Sequence, residues 1–185
     1  EDAQALLIAA GPYEYFGQSM TSCDFNQDGV TELFVGAPAH LSEGEALGAV
    51  YRFSDLGMGF TGQRSTSDAA VRITGEWSGG RLGTTLAVCP DMDGDGLQDW
   101  MAAAPRDGNQ APLAGQVVLV QSGSLPTNTS QTLISGLDTR WTGTSLGEMA
   151  GFSMTCTHDL TGDNIADLVI GAPYADTDED IDASG

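Results

Sequence analysis

Three nine-residue stretches carry the residues with the clearest chemistry. They open on Asp24, Asp91 and Asp159, and each offers side-chain oxygens at positions 1, 3, 5 and 9 with a backbone carbonyl at position 7. In loop one these are Asp24, Asn26, Asp28, the Val30 carbonyl and Glu32. In loop two they are Asp91, Asp93, Asp95, the Leu97 carbonyl and Asp99. In loop three they are Asp159, Thr161, Asp163, the Ile165 carbonyl and Asp167. All are hard oxygen donors with no His or Cys among them, which argues against zinc and copper. A flexible cage of carboxylates with one carbonyl suits Ca²⁺ better than the rigid, water-retaining octahedron of Mg²⁺. The expectation is up to three Ca²⁺ ions, one per loop. Loop two, with four acids against three in each of the others, should bind most tightly, and loop three departs furthest because Thr161 replaces a carboxylate or amide.

An EF-hand starts in the same way but needs a bidentate Glu at position 12 and flanking helices. Position 12 here is Val35, Ala102 or Ile170, so each loop closes at position 9 and runs straight into an apolar strand. Position 6 is Gly29, Gly96 or Asn164, residue types that tolerate the left-handed backbone of a sharp turn. Solvated Asp-Gly turns are the competing reading. Ten acids at matching positions of three loops would, however, repel one another unless something neutralised them.

The elements that position the loops form an internal repeat. Phe16-Gly17, the first loop and Gly36-Ala37-Pro38 recur as Leu82-Gly83, the second loop and Ala103-Ala104-Pro105. They recur again as Ala150-Gly151, the third loop and Gly171-Ala172-Pro173. Asp24 to Asp91 is 67 residues and Asp91 to Asp159 is 68, so register is held through whole units. The apolar runs are short, β-branched or aromatic in part, and bounded by Gly, Pro and Asp, which reads as strands. First strands are expected at 17–23, 83–89 and 151–156, second strands at 33–36, 100–103 and 168–171, and third strands at 48–53 and 115–120. Fourth strands are expected at 70–74 and 132–135, with 5–9 closing an earlier unit. Four antiparallel strands per unit, the inner ones continuously apolar, make an all-β chain of β-propeller blades. The expected division is 1–15 as the last strand of a preceding blade, 16–75 as repeat 1, 82–136 as repeat 2 and 150–185 as a truncated repeat 3. Four such units would need about 268 residues, so the 185 present read as a segment of a longer chain, about 2.7 blades, whose edges need the remaining blades or a partner.

Composition agrees. Against 26 Asp and Glu stand six Arg and no Lys, a formal charge of −20, which excludes a nucleic-acid or anionic-membrane surface. No apolar run is long enough to insert in a membrane. Cys23, Cys89 and Cys156 each end a first strand. They read as small buried apolar side chains, with a disulfide as the alternative.

The combination of Phe16-Gly17, the D-x-D-x-D-G-x-x-D loops and the Gly-Ala-Pro tripeptides resembles the FG-GAP repeats of integrin α-subunit propellers and their bacterial relatives, over nearly the whole chain. Leu82 and Ala150 stand where the family has phenylalanine, Ala103 where it has glycine, and Asn164 at the loop glycine. The resemblance implies a seven-bladed parent propeller, Ca²⁺ as a structural ion between the first two strands of a blade, and an extracellular, secreted or cell-surface role in adhesion or recognition of a protein or glycan. It also implies that the metal loops face away from the ligand. The alternative is an accessory or carbohydrate-binding propeller of a secreted enzyme or lectin.

No catalytic group is expected, since His40 and His158 occupy non-equivalent positions and show no placed partner. Trp77 and Trp141 are expected to pack between blades, with stacking on a sugar or peptide as the alternative. Asn128-Thr129-Ser130 fits a glycosylation acceptor, and 54–68 and 176–182 read as solvated connections.

Overall fold

The computed structural model describes residues 5–54, 56, 60–124, 132–133 and 139–175. Its strands, in chain order, are β1 Ala5–Ile8, β2 Met20–Cys23, β3 Glu32–Ala37, β4 Leu41–Ser42, β5 Glu45–Ala46, β6 Ala49–Phe53, β7 Gly62–Ser65, β8 Val71–Thr74, β9 Thr85–Cys89, β10 Asp99–Ala104, β11 Gln116–Val120, β12 Thr132–Leu133, β13 Thr139–Thr142, β14 Ser153–Cys156 and β15 Leu168–Gly171. The chain is all-β, built of propeller blades. Blade one is the antiparallel set β2-β3-β6-β8, blade two is β9-β10-β11-β13, and β14-β15 begins a third.

The middle strands are buried on both faces, which is why they read as unbroken apolar runs. Successive side chains of β3 alternate between two cores: Phe34 joins Val50, Ile73, Trp100, Ala102 and Val118 between blades one and two, while Val35 joins Tyr51 and Phe53 on the other side. In β10, Trp100 faces blade one and Met101 faces Met154, Cys156 and Ile170 of the third blade. The Phe34 and Trp100 rings, 4.5 Å apart, centre the first of these interfaces.

The recurring glycines have a physical cause. In all three units the glycine that leads into the first strand donates its N–H to a carbonyl near the end of the second: Gly17 to Gly36 at 2.9 Å, Gly83 to Ala103 at 3.0 Å and Gly151 to Gly171 at 3.0 Å. Between blades, a Cβ added to Gly36 would lie 2.1 Å from the Gly83 carbonyl oxygen, and Gly83 itself has φ +87°. The blades approach backbone to backbone here, where no side chain fits.

Three expectations are corrected. The fourth strand of blade two is β13, paired with β11, whereas Thr132–Leu133 lies parallel beside β8 of blade one. β13 was passed over because an outer strand with Arg140 and Trp141 exposed carries no apolar run. Apart from these corrections, the run at 5–9 forms β1, which pairs in parallel with β7 in the connector of unit one, as β8 pairs with β12, and sets Leu7 on the blade-one core. Cys89 and Cys156 are joined by a disulfide that ties β9 to β14, with Cα atoms 5.1 Å apart. Only Cys23 keeps the reading of a small buried side chain. The first strands of neighbouring blades lie side by side, so residues one repeat apart meet, a proximity that a flat reading of the repeat does not display. Trp77 and Trp141 are 43% and 39% exposed, and the tryptophan sealed between blades is Trp100. Residues 128–130 and 176–182 lie outside the described residues, as does part of 54–68.

Burial, aided by Glu32, Asp24 and Asp99, raises the Cys23 thiol to about 11. Native protein at pH 8 is therefore expected to be inert to Ellman's reagent, to show one thiol in denaturant and to show three after reduction. Three thiols in denaturant without reductant would contradict the cross-link. Removing the bridge, which closes a span of 67 residues, with a Cys89→Ser and Cys156→Ser double variant should cost about 4 kcal/mol in denaturant unfolding.

Candidate metal centre

Each acidic loop joins the end of a first strand to the start of a second, and the three fold on a common hydrogen-bond frame. At position 1, Asp24 accepts from the Asp28 and Gly29 N–H groups, Asp91 from Gly94 and Gly96, and Asp159 from Gly162, Asp163 and Asn164. At position 5, Asp28, Asp95 and Asp163 each accept the N–H of position 7 at 2.8 Å, from Val30, Leu97 and Ile165 respectively. At position 9, Glu32, Asp99 and Asp167 accept the N–H of position 2, from Phe25, Met92 and Leu160. Backbone donors thus turn inward in all three loops, and among the described residues three carboxylates come together in loop two.

Aiming those donors needs two left-handed residues per loop. Position 6 is one, with φ +84° at Gly29, +88° at Gly96 and +68° at Asn164. Position 4 is the other, with φ +52° at Gln27, +85° at Gly94 and +86° at Gly162. Glycine at position 4 in two loops, Gly94 and Gly162, is the sequence signal of this second requirement. Gln27 also spans the two blades, donating from Nε2 to the Gly96 carbonyl.

The carboxylates are not equivalent. In loop two, ligand oxygens of Asp91, Asp93 and Asp99 lie within 4.8 Å of one another. Asp95 stands outside that trio. Loop one has Asn26 at position 3, whose Nδ2 donates to Asp28 Oδ2 at 2.9 Å, and loop three has Thr161, whose N–H donates to Asp167 at 3.1 Å.

Glu32 and Asp99 are fully buried. Burial pushes the Glu32 carboxyl up, reinforced by Asp28 and Asp24 and opposed by the Phe25 N–H and Arg52. Burial likewise raises Asp99, with Asp93 and Asp95 adding repulsion and the Ser122 and Met92 N–H groups opposing it. Asp91 and Asp159 are held below the usual carboxylate range, chiefly by the N–H groups of Gly96 and Asn164. Ser122, which lies 23 residues beyond Asp99 and donates to its Oδ1 at 2.9 Å, carried no signal in the loop pattern.

The residues fit a hard cation. Donors are all oxygen, loop two concentrates three carboxylates, and buried Glu32 Oε1 has no hydrogen-bond partner. A buried carboxylate oxygen left bare is costly unless positive charge meets it.

The comparisons with known proteins agree with one another. Residues 16–51 match the family model described as FG-GAP repeat. Integrin alpha-5 of Xenopus laevis is 30% identical over 168 residues, covering 88% of this chain and 15% of the relative. Integrin alpha-IIb of Homo sapiens is 33% identical over 164 residues, covering 85% and 15%. Phosphatidylinositol-glycan-specific phospholipase D of Bos taurus is 33% identical over 167 residues, covering 89% and 19%. The chain therefore spans less than a fifth of the length of these relatives.

Backbone geometry yields a graded expectation. Gly96→Ala should lower stability by about 1–2 kcal/mol, because alanine is strained at φ +88° although its Cβ would meet Gln27 Nε2 only at 4.0 Å, without a clash. Asn164→Gly should stay within about 0.5 kcal/mol of the parent. Equal costs in urea unfolding would contradict this account of position 6.

Proposed function

The chain is FG-GAP repeat sequence of the integrin α-like β-propeller kind, and on that premise we propose that it is a non-catalytic interaction module that uses Ca²⁺ as a structural ion outside the cell. The observation that carries the reading is the shared loop frame closing on buried position-9 carboxylates, with Glu32 Oε1 left without a protein partner. Loop one would hold the ion with Asp24, Asn26, Asp28, Glu32 and the Val30 carbonyl. Loop two would use Asp91, Asp93, Asp95, Asp99 and the Leu97 carbonyl, and loop three Asp159, Thr161, Asp163, Asp167 and the Ile165 carbonyl. Bound there, the cations would supply the positive charge that the ten acids of the three loops lack.

With Ca²⁺ near ~1 mM and a site Kd near ~0.1 mM, each loop gains about 1.4 kcal/mol. Three give about 4 kcal/mol, a large share of a domain's ~5–15 kcal/mol. Sites of that affinity fill outside cells and stay empty at cytosolic Ca²⁺. The Cys89–Cys156 disulfide supports the same oxidising location.

Support for a non-catalytic role comes from the histidines. His40 is buried, with Nδ1 3.2 Å from Glu14 and 3.0 Å from the Tyr51 hydroxyl, so it serves the blade-one interior. His158 is an exposed neighbour of loop three. The partner would be a protein or glycan, and adhesion follows the integrin relatives. Likeness to the phospholipase supports a second reading, an accessory propeller attached to a secreted enzyme.

Calorimetric titration of Ca²⁺ into chelator-treated protein, with thermal unfolding alongside, tests the reading. About three sites and a rising melting temperature are expected, and Asp95→Ala should lose one site. Folded protein that takes up no Ca²⁺ would sink the proposal.

A further inference from the structure

Six arginines face 26 acids in this chain, and four of them are engaged. Arg52 lies 4.3 Å over the Phe25 ring and Arg64 5.1 Å over Phe60. Arg72 bonds the Tyr51 hydroxyl, and Arg140 acts on Asp107. Among the described residues the other two, Arg81 and Arg106, have no ion pair. Both line one cavity of about 340 Å³. Acids adjacent in sequence are committed elsewhere: Asp107 is buried and accepts the Asn109 N–H, and Glu148 accepts the N–H groups of Thr144 and Ser145.

The rest of the lining narrows the ligand. Thr84 donates its hydroxyl to the Arg81 carbonyl at 2.7 Å, and Thr85 donates to the Phe152 carbonyl at 3.1 Å. With their hydrogens committed, both hydroxyls present lone pairs to a molecule in the cavity, which favours a ligand with donors of its own. Met149, Pro105 and the exposed ring of Phe152 supply an apolar wall. Guanidinium groups match an oxyanion, accepting hydroxyls match hydroxyl donors, and an exposed aromatic ring matches the apolar face of a saturated ring. The volume lies within the ~300–1,000 Å³ of small-molecule sites.

We infer that the cavity between Arg81 and Arg106 binds an acidic sugar, a pyranose bearing one carboxylate. A polyanion is excluded by the −20 charge of the whole chain. A single carboxylate held by two guanidinium groups is not. Thr85 starts β9 and Cys89, beside loop two, ends it, so the cavity lies about 13 Å along the strand from the acidic loops. The inference is independent of calcium.

The test follows the arginine Nε–H signals of isotope-labelled full chain, in Ca²⁺-containing buffer, during additions of glucuronate and of N-acetylneuraminate. D-glucose serves as the neutral control and sodium sulfate as the charge-only control. At least one acidic sugar should shift the Arg81 and Arg106 signals saturably, and both controls should bind at least tenfold more weakly. Arg106→Gln should weaken binding about tenfold or more with an unchanged melting temperature. Arg81→Asn, which keeps a residue type tolerant of φ +63°, should do the same. The inference is overturned if neither acidic sugar saturates by ~50 mM, if glucose or sulfate binds as tightly, or if both folded variants keep the parent affinity.

Discussion

A carboxylate buried at the first residue of the second strand is the constraint around which units one and two are built, and half-buried Asp167, just before β15, takes that place in unit three. Glu32 and Asp99 are wholly out of solvent, and an ionised carboxylate in that position must be met by donors or by positive charge. Backbone N–H groups answer part of the demand, from Phe25 to Glu32 and from Met92 and Ser122 to Asp99. Bringing position 2 back to position 9 forces the intervening chain into a loop with left-handed residues at positions 4 and 6. Once the loop has that shape, position 1 turns toward it as well, and in loop two Asp91 meets Asp93 and Asp99. A solvated Asp-Gly turn has no such requirement, since its acids point to water.

The same residue links the loop to the propeller core. Glu32 and Asp99 open β3 and β10, whose side chains alternate between the cores on either side of a blade. A loop that closed at another position would shift this alternation by a residue and exchange the two faces. Register along the strand is also held near its far end, where the Gly17, Gly83 and Gly151 N–H groups bond the Gly36, Ala103 and Gly171 carbonyls. The FG-GAP signature thus marks both ends of one two-strand unit. The substitution at Ala103 is accommodated because Gly151, with φ +87°, presents no Cβ to it.

Elements whose partners lie within one unit were legible from the residues. The loop frame, the strand-to-strand hairpins and the doubly buried middle strands follow from Asp spacing and from apolar runs beside Gly, Ala and Pro. What depended on neighbours in space was not legible. The pairing of β1 with β7, the placement of Thr132–Leu133 beside β8 and the disulfide between Cys89 and Cys156 all join segments that local pattern treats as separate. β13 escaped notice for a different reason. An outer strand needs only one packed face, and Thr139, Arg140, Trp141 and Thr142 spread that contact over side chains without an apolar run. Ser122 reaches Asp99 only because the strand end of β11 returns beside the loop, so nothing near loop two announces it.

The two proposed chemistries would sit at opposite ends of β9, and charge explains how they could coexist. Three divalent cations would take a chain of −20 to about −14, still strongly acidic, so the field that draws cations to the loops persists after they are filled. An anion site can survive in that field only where guanidinium groups have no carboxylate to satisfy them, and where the flanking acids are already hydrogen-bonded. Asp107 and Glu148 meet that condition beside Arg106 and Met149. A cation-stabilised scaffold with a local anion site is therefore electrostatically consistent, provided that the anion carries little charge and arrives at the end of the strands remote from the metal loops.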